Sequence, residues 1–381
     1  MFFITGCTGL VGSFIARKLL QQGNHLRALK RKTSDLSLVA DIADKIEWVE
    51  GDILDITGLE KSIEGVDTVI HTAAMVSLSY HDKKLIFKTN VEGTSNIVNV
   101  CIKKGVKKLC HLSSVAAIGK PTSHPESENR VIEETESGKT KPQSFGGSRQ
   151  FTDSPIHPFT HSERNSVGEA GIDENIQFSD YEEVSLYAQT KYLAEIEVWR
   201  GIEEGLNAVI LNPAVVLGPG NWKKGSSKIF QYVWKQYPFY TTRVVNYIDV
   251  RDLAEITLQL INTGINNERY IIFAGKISYK ELFDIIALDF DKRKPNIKVS
   301  PFWGGIAWRF EIIRSLFTGK PFLVTKDIVK SSLNSLHYNN GKIRNLLSLS
   351  DRKEGFNFRD INDTIRWTCD ELKRRYGFKN A

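Results

Sequence analysis

Cysteine is scarce, with four in 381 residues (Cys7, Cys101, Cys110 and Cys369) and neither C-x-x-C spacing nor a zinc pattern among them. That excludes a disulfide framework and a structural zinc site. Cys7 lies in a glycine turn and Cys101 and Cys110 in apolar stretches, where a free thiol acts as a small hydrophobe in a reducing, cytoplasmic setting. Long hydrophobic runs are also missing. The longest candidate, around 208–217, is broken by Asn212 and Pro213, so no transmembrane segment is expected. No block of five or six basic residues occurs and the formal charge is a mild +6, which leaves a nucleic-acid partner without support. There is no internal repeat. A removable secretory signal is not expected either, because the first strand candidate begins at Met1.

What is present is a regular alternation. Residues 1–4 read as a buried strand, followed by the turn TGCTGLVG and a helix from Ser13. Further strand candidates cover 25–29, 46–49, 66–71, 106–112 and 208–211, with helix candidates at 85–104 and 187–204. Such βαβ order predicts an α/β fold, a Rossmann-type doubly wound parallel sheet with ligands at the carboxyl ends of its strands. This dinucleotide-binding part is expected over 1–275, with 214–242 contributing to a substrate cleft. A smaller, mostly helical substrate domain is expected over 276–381, with helices at 279–290, 303–317, 326–333 and 361–376. The stretch FWGGIAWRFEIIRSLF is apolar on two faces and reads first as core packing, second as a lid, a subunit contact or a membrane-surface contact.

One polar segment, 120–180, breaks the rhythm, and its middle, 136–171, reads as an insertion. His157 and His161 stand four apart in it, a metal-ligand spacing on a helix, but Pro158 argues against a helix there and no metal is expected.

Two short strings carry the chemistry. Gly6, Gly9 and Gly12, with Thr8, Leu10 and Val11 between them, form a turn between strand and helix that suits a pyrophosphate at a helix N-terminus. Tyr187 and Lys191 stand four apart on one helix face, where an ammonium is expected to lower the pKa of the phenol and make it an acid–base group. At the end of the second strand stands Lys30-Arg31-Lys32, with no carboxylate before Asp35; Arg31 suits a ribose 2′-phosphate, so NADP(H) is favoured over NAD(H). Asp52 and Ile53 are placed to meet adenine, and the small Ala73 and Ala74 to let the cofactor lie against the backbone. Ser114, at a strand's carboxyl end, can hold a substrate oxygen.

In their order, TGCTGLVG, GDILD, HTAAM, NVEGT, HLSSV, YAQTK, NPAVVLGPG and NYIDVRDLA resemble the extended short-chain dehydrogenase/reductase family, also called the NAD-dependent epimerase/dehydratase family. The resemblance implies Ser114, Tyr187 and Lys191 as the catalytic set with Asn90 in support, and a nicotinamide pocket shaped by 213–219, including Pro213 and Val216. LRALKR and LHYNNGKIRNLL are most similar to dihydroflavonol-reductase-like members, whose 2′-phosphate arginine falls at Arg31. The family also implies a homodimer through the helices at 85–104 and 187–204. The 73-residue gap between Ser114 and Tyr187 is longer than in most relatives, and Val115-Ala116-Ala117 lacks the acidic pair of the sugar dehydratases. The leading expectation is hydride transfer between NADPH and a carbonyl or alcohol of a small, largely apolar substrate. A nucleotide-sugar epimerase with retained NAD stands second. A dinucleotide sensor without chemistry stands third.

Overall fold

The computed structural model describes residues 1–76, 82–119, 171–176, 184–299, 336–348 and 356–377. Most of the polar insertion, including His157 and His161, and the helix candidates at 303–317 and 326–333 lie outside the described residues.

Seven parallel strands form the main sheet: β1 (Phe2–Thr5), β2 (Leu26–Lys30), β3 (Glu47–Glu50), β4 (Thr68–His71), β5 (Lys108–Leu112), β6 (Ala208–Pro213) and β10 (Glu268–Ile272). Their order is β10-β6-β5-β4-β1-β2-β3, so the direction of winding reverses between β1 and β4. That is the expected doubly wound sheet, and the crevice at the reversal is where such sheets bind ligands.

The strands are nearly continuous apolar runs because both faces are covered. Ile4, Ala28, Ile70, Cys110 and Val209 pack with helices α1 (Leu10–Gln21) and α7 (Val250–Asn262). Their neighbours Phe3, Leu29, Val69, Leu109 and Ala208 join the opposite core with α2 (Ile56–Ser62), α4 (Gly93–Lys103) and α5 (Leu186–Glu203). A short α3 (Lys83–Phe87) runs into α4 through one π-helical turn, Lys88–Glu92. The expected helix at 85–104 is therefore present but not uniform.

A second sheet of three strands, in the order β11-β9-β7, comprises β7 (Val215–Leu217), β9 (Val244–Asp249) and β11 (Gly275–Ser278). Over it lie α6 (Ser227–Trp234), α8 (Tyr279–Asp289) and α10 (Ile361–Tyr376), enclosing Trp222, Phe230, Phe290, Ile365 and Leu372. A two-residue pair, β8 (Phe239–Tyr240) with β12 (Ile297–Lys298), lies beside them in sequence. Local signals set these helices. Ser278 and Glu281 close a capping box on α8. Asp360 caps α10, basic residues fill its last turn, and Gly377 ends it in the left-handed region at φ 63°. One helix from the C-terminal part returns to the main sheet: α9 (Gly341–Ser348) puts Ile343 and Leu347 into the core beside α1 and α7. No described helix is long and apolar enough to cross a membrane.

Candidate active site

The glycine turn is built so that only glycine fits. Gly6 has φ +74°, and a Cβ there would lie 2.6 Å from Thr72 Oγ1 and 2.7 Å from Ala73 N. At Gly12 a Cβ would come within 2.3 Å of Gly6 O. Helix α1 starts at Leu10, three residues earlier than the sequence pattern suggests. Its N-cap Gly9 offers no side-chain oxygen, and no acidic residue stands in the first turn. The leading amides are thus left for an external anion, and the residues present fit a dinucleotide pyrophosphate.

Around the turn the other candidate cofactor residues occupy strand ends. Ala73 and Ala74 follow β4, and Pro213 closes β6 while Val216 lies in β7. Past β3, Asp52 accepts from Leu54 N–H at 3.0 Å, and the Ile53 carbonyl accepts from Asn96 Nδ2 at 3.0 Å. Arg31 follows β2 with its side chain exposed, and its N–H donates to Ser34 Oγ at 2.9 Å. Asp35 is turned to Ser37 N–H (3.0 Å) and Asn221 Nδ2 (3.3 Å), and these hydrogen bonds lower its pKa.

On the other side of the crevice the structure brings Ser114 and Tyr187 together. Ser114 is the cap of a short 3₁₀ turn, Val115–Ile118, accepting from Ala116 N–H at 3.2 Å, and its side chain hydrogen-bonds the Tyr187 phenol. Tyr187 lies in the first turn of α5, which Ser185 caps. Lys191, 2 % exposed, donates to the Leu112 carbonyl at 2.8 Å; burial lowers its pKa to about 8. The phenol departs from expectation. Burial raises the Tyr187 pKa and the Ser114 hydrogen bond opposes it.

Asn90 supports the site from beneath. The π turn directs its carboxamide at the chain after β4, where Oδ1 accepts from Met75 N–H (2.7 Å) and Nδ2 donates to Met75 O (3.0 Å). Nδ2 also donates to Thr190 Oγ1 at 3.0 Å, tying this chain to α5. A helix with one extra residue in a turn often marks a functional position.

Several participants were not singled out by sequence reasoning. His71 Nδ1 meets Thr5 Oγ1 at 2.7 Å, and Nε2 meets Thr94 Oγ1 at 3.0 Å. Thr94 already donates to Asn90 O at 2.6 Å, so it must accept from His71 Nε2–H, which fixes the imidazole tautomer. His111 lies alongside, ring centroids 5.3 Å apart, with both nitrogens buried and unpartnered. Burial, then the Lys191 charge, pushes His71 down to about 3 and His111 well below its ordinary value. Glu195, one turn past Lys191, accepts from Asn212 Nδ2 at 2.5 Å, and Asn212 Nδ2 also donates to Ser114 O at 3.0 Å. Arg269 reaches Glu195 at 3.5 Å and donates to the carbonyls of Glu174 and Ile176. The far end of the insertion is thereby joined to the strand that carries Ser114. His71 and His111 open the HTAAM and HLSSV strings and so were visible; Glu195 and Arg269 are joined only by the folded chain.

With this geometry in place, the comparisons are specific. The family model described as NAD dependent epimerase/dehydratase family matches residues 2–145 and 165–272. A curated protein of Synechocystis sp. named "Putative dihydroflavonol 4-reductase" is 29% identical over 376 residues, spanning 96% of this chain and 94% of its own. Cinnamoyl-CoA reductase 1 of Petunia hybrida is 24% identical over 319 residues, 78% of this chain and 83% of its own. Among solved structures, gox2253 superposes with a TM-score of 0.73 at 26% identity, covering 99% of this chain and 98% of its own. WbmH of Bordetella bronchiseptica, solved with NAD+, gives 0.68 at 20% identity and 99% coverage of both chains. A winding reversal, a glycine cradle and a Ser–Tyr–Lys constellation at the strand ends agree with that match. The chain belongs to the NAD-dependent epimerase/dehydratase family and is an NAD(P)-dependent enzyme of the extended short-chain dehydrogenase/reductase type.

Proposed function

We propose that the chain is an NADPH-dependent reductase, or in reverse a dehydrogenase, acting on a carbonyl or alcohol of a small, largely apolar substrate. The observation that carries this reading is the hydrogen-bonded pair of Ser114 and Tyr187 at the carboxyl end of β5, with Lys191 one helical turn on. When bound along the strand ends, the nicotinamide supplies the hydride. Ser114 Oγ holds the substrate oxygen, and Tyr187 gives that oxygen its phenolic proton. A phenol whose pKa is raised by burial is fully protonated at neutral pH, which suits the donor role and hence reduction. Lys191, protonated below about pH 8, offsets the charge left on the phenolate. Asn90 keeps α5 and the chain after β4 in register through Thr190 and Met75.

Two observations favour NADPH. Arg31 is exposed at the ribose edge, where its forked donors suit a phosphate, and the first carboxylate after β2, Asp35, is committed to Ser37 and Asn221. The reductase names among the relatives support the direction. Denaturing the purified protein and identifying what it releases tests the reading. An empty protein that binds NADPH more tightly than NADH is expected; stoichiometric NAD would replace the reductase with an epimerase that keeps its cofactor throughout the cycle.

A further inference from the structure

Among the described residues, the buried side-chain polar atoms without partners, apart from Asp289 Oδ2 at the end of α8, lie at or beside ends of β5, β6 and β9. His111, Ser113 Oγ and Asn212 Oδ1 lie at the ends of β5 and β6, and Arg243 Nε and Asn246 Oδ1 lie at the start of β9. Native folds satisfy nearly all buried polar atoms, so each orphan asks for an explanation. Arg243 is the sharpest case: its side chain is half-buried, its guanidinium is charged at every physiological pH, and its Nε is enclosed without a partner. Among the described residues no carboxylate pairs with it. Its own carbonyl is used, accepting from Tyr279 N–H at 2.9 Å, so the backbone is fixed while the side chain is not committed.

The position relates Arg243 to the chemistry. Tyr279 joins it through the backbone, and its charge opposes the rise that burial imposes on the pKa of the Tyr279 and Tyr338 phenols. Tyr338 donates to the carbonyl of Val115 at 3.3 Å, and Val115 directly follows Ser114. The tyrosine whose phenol responds to the Arg243 charge is thus hydrogen-bonded to the residue beside the candidate oxygen-holding serine. Lys276, a second cation on β11, is exposed and 3.5 Å from His337 Nδ1, so among the described residues of this wall Arg243 is the cation with an enclosed, unpartnered nitrogen.

We infer that Arg243 is a substrate anchor, and that the substrate carries a carboxylate in addition to its reducible carbonyl and apolar body. One forked guanidinium matches one carboxylate, whereas a diphosphate would call for more than one free cation. The inference rests on the reductase reading for the reacting end of the substrate, but the anchor itself is read by binding alone.

The test uses ω-aldehyde carboxylic acids of roughly four to ten carbons, each against its methyl ester, a range that spans the reach of an extended chain across the cleft. Binding is measured by calorimetry on the full-length enzyme saturated with NADP+, and reduction separately with NADPH. The acid is expected to bind about tenfold more tightly than its ester at one optimal length, a typical gain for one charge-assisted pair. Arg243→Met should abolish that ratio and Arg243→Lys restore part of it, with circular dichroism reporting that both variants fold. Equal binding of acid and ester at every length in wild type overturns the anchor. Tighter binding of a nucleoside diphosphate than of any acid, lost in Arg243→Met, overturns the carboxylate and assigns the guanidinium to phosphate. Reduction of the esters without any acid preference would remove the anchor and leave the reductase reading standing. Acid-selective binding without reduction of any aldehyde would do the opposite.

Discussion

The two faces of the main sheet are made by the same strands and serve different ends. On the α1 and α7 side the contacts are mostly hydrocarbon, from Ile4 and Ile70 to Leu253 and Ile256. On the α4 and α5 side, Phe3, Val69 and Leu109 begin in the same way, but two residues further along each strand come Thr5, His71 and His111, side by side in register. This polar row lies under the crevice and leads through Thr94 to Asn90. Strand alternation assigns stability to one face and, at the carboxyl end, chemistry to the other. The lesson is that a parallel sheet can carry a buried polar ledge provided that nearly every member is hydrogen-bonded.

The largest effect that would sharpen the comparison belongs to the chemical face. Tyr187→Phe should lower turnover by about 10²- to 10⁴-fold, the usual contribution of a positioned acid, while melting temperature and NADPH affinity stay close to wild type. Stopped-flow hydride transfer with fluorescence titration of the cofactor would separate the two. Next comes the hydrocarbon face: Leu253→Ala should cost about 2–5 kcal/mol in urea unfolding with the turnover number retained at 25 °C. A steep loss of turnover in that variant would break the division between the faces.

A smaller effect comes from acid. His71 titrates near 3 in the fold and near 6.5 when unfolded, so the unfolded chain binds more protons throughout that window. Stability therefore falls as pH drops from about 6.5 toward 3, at about 1.4 kcal/mol per pH unit, or about 2 kcal/mol by pH 5. His111, lowered in the same direction, adds its own share. His111→Leu removes that titration without breaking a hydrogen bond, and thermal melts at pH 7 and pH 5 should show a shallower loss than wild type. The smallest effect is at the rim of the hydrocarbon face, where Lys18 approaches Glu255 at 3.7 Å in a half-buried pair. Lys18→Met should change stability by less than about 1 kcal/mol, and a larger loss in urea titration would mean that charge, not burial, holds α1 to α7.

What could be read in the sequence follows the same division. The glycine turn, the strand order class and the helices with capping signals were legible, and α10 begins and ends at the residues its caps and apolar period indicate. Helix α1 began earlier than its pattern because its first turn is deliberately uncapped, and an uncapped helix start leaves no local signature. The family motifs singled out Ser114, Tyr187, Lys191 and Asn90, but not what surrounds them. Arg269 meets Glu195 across 74 positions of chain, and Ile343 finds α1 from the opposite end of the molecule. Such pairs have no period or spacing to betray them. The reversal of the expected pKa shift at Tyr187 has the same origin, since the burial that raises it is made by the folded chain and not by neighbours in sequence.

The π turn at Lys88–Glu92 has a further consequence, which concerns angular phase. A helix advances about 100° per residue, so one additional residue held within a turn rotates everything beyond it relative to everything before it. Ile86, before the turn, and Ile97, Val98 and Cys101, after it, are all buried, so the apolar stripes of α3 and α4 are joined through this offset. Removing a single residue from Lys88–Glu92 should therefore let the ladder close as a plain α-helix with its hydrocarbon stripe continuous, while the carboxamide that holds Met75 and Thr190 swings off the crevice. The enzyme would keep its spine and lose its timing mark.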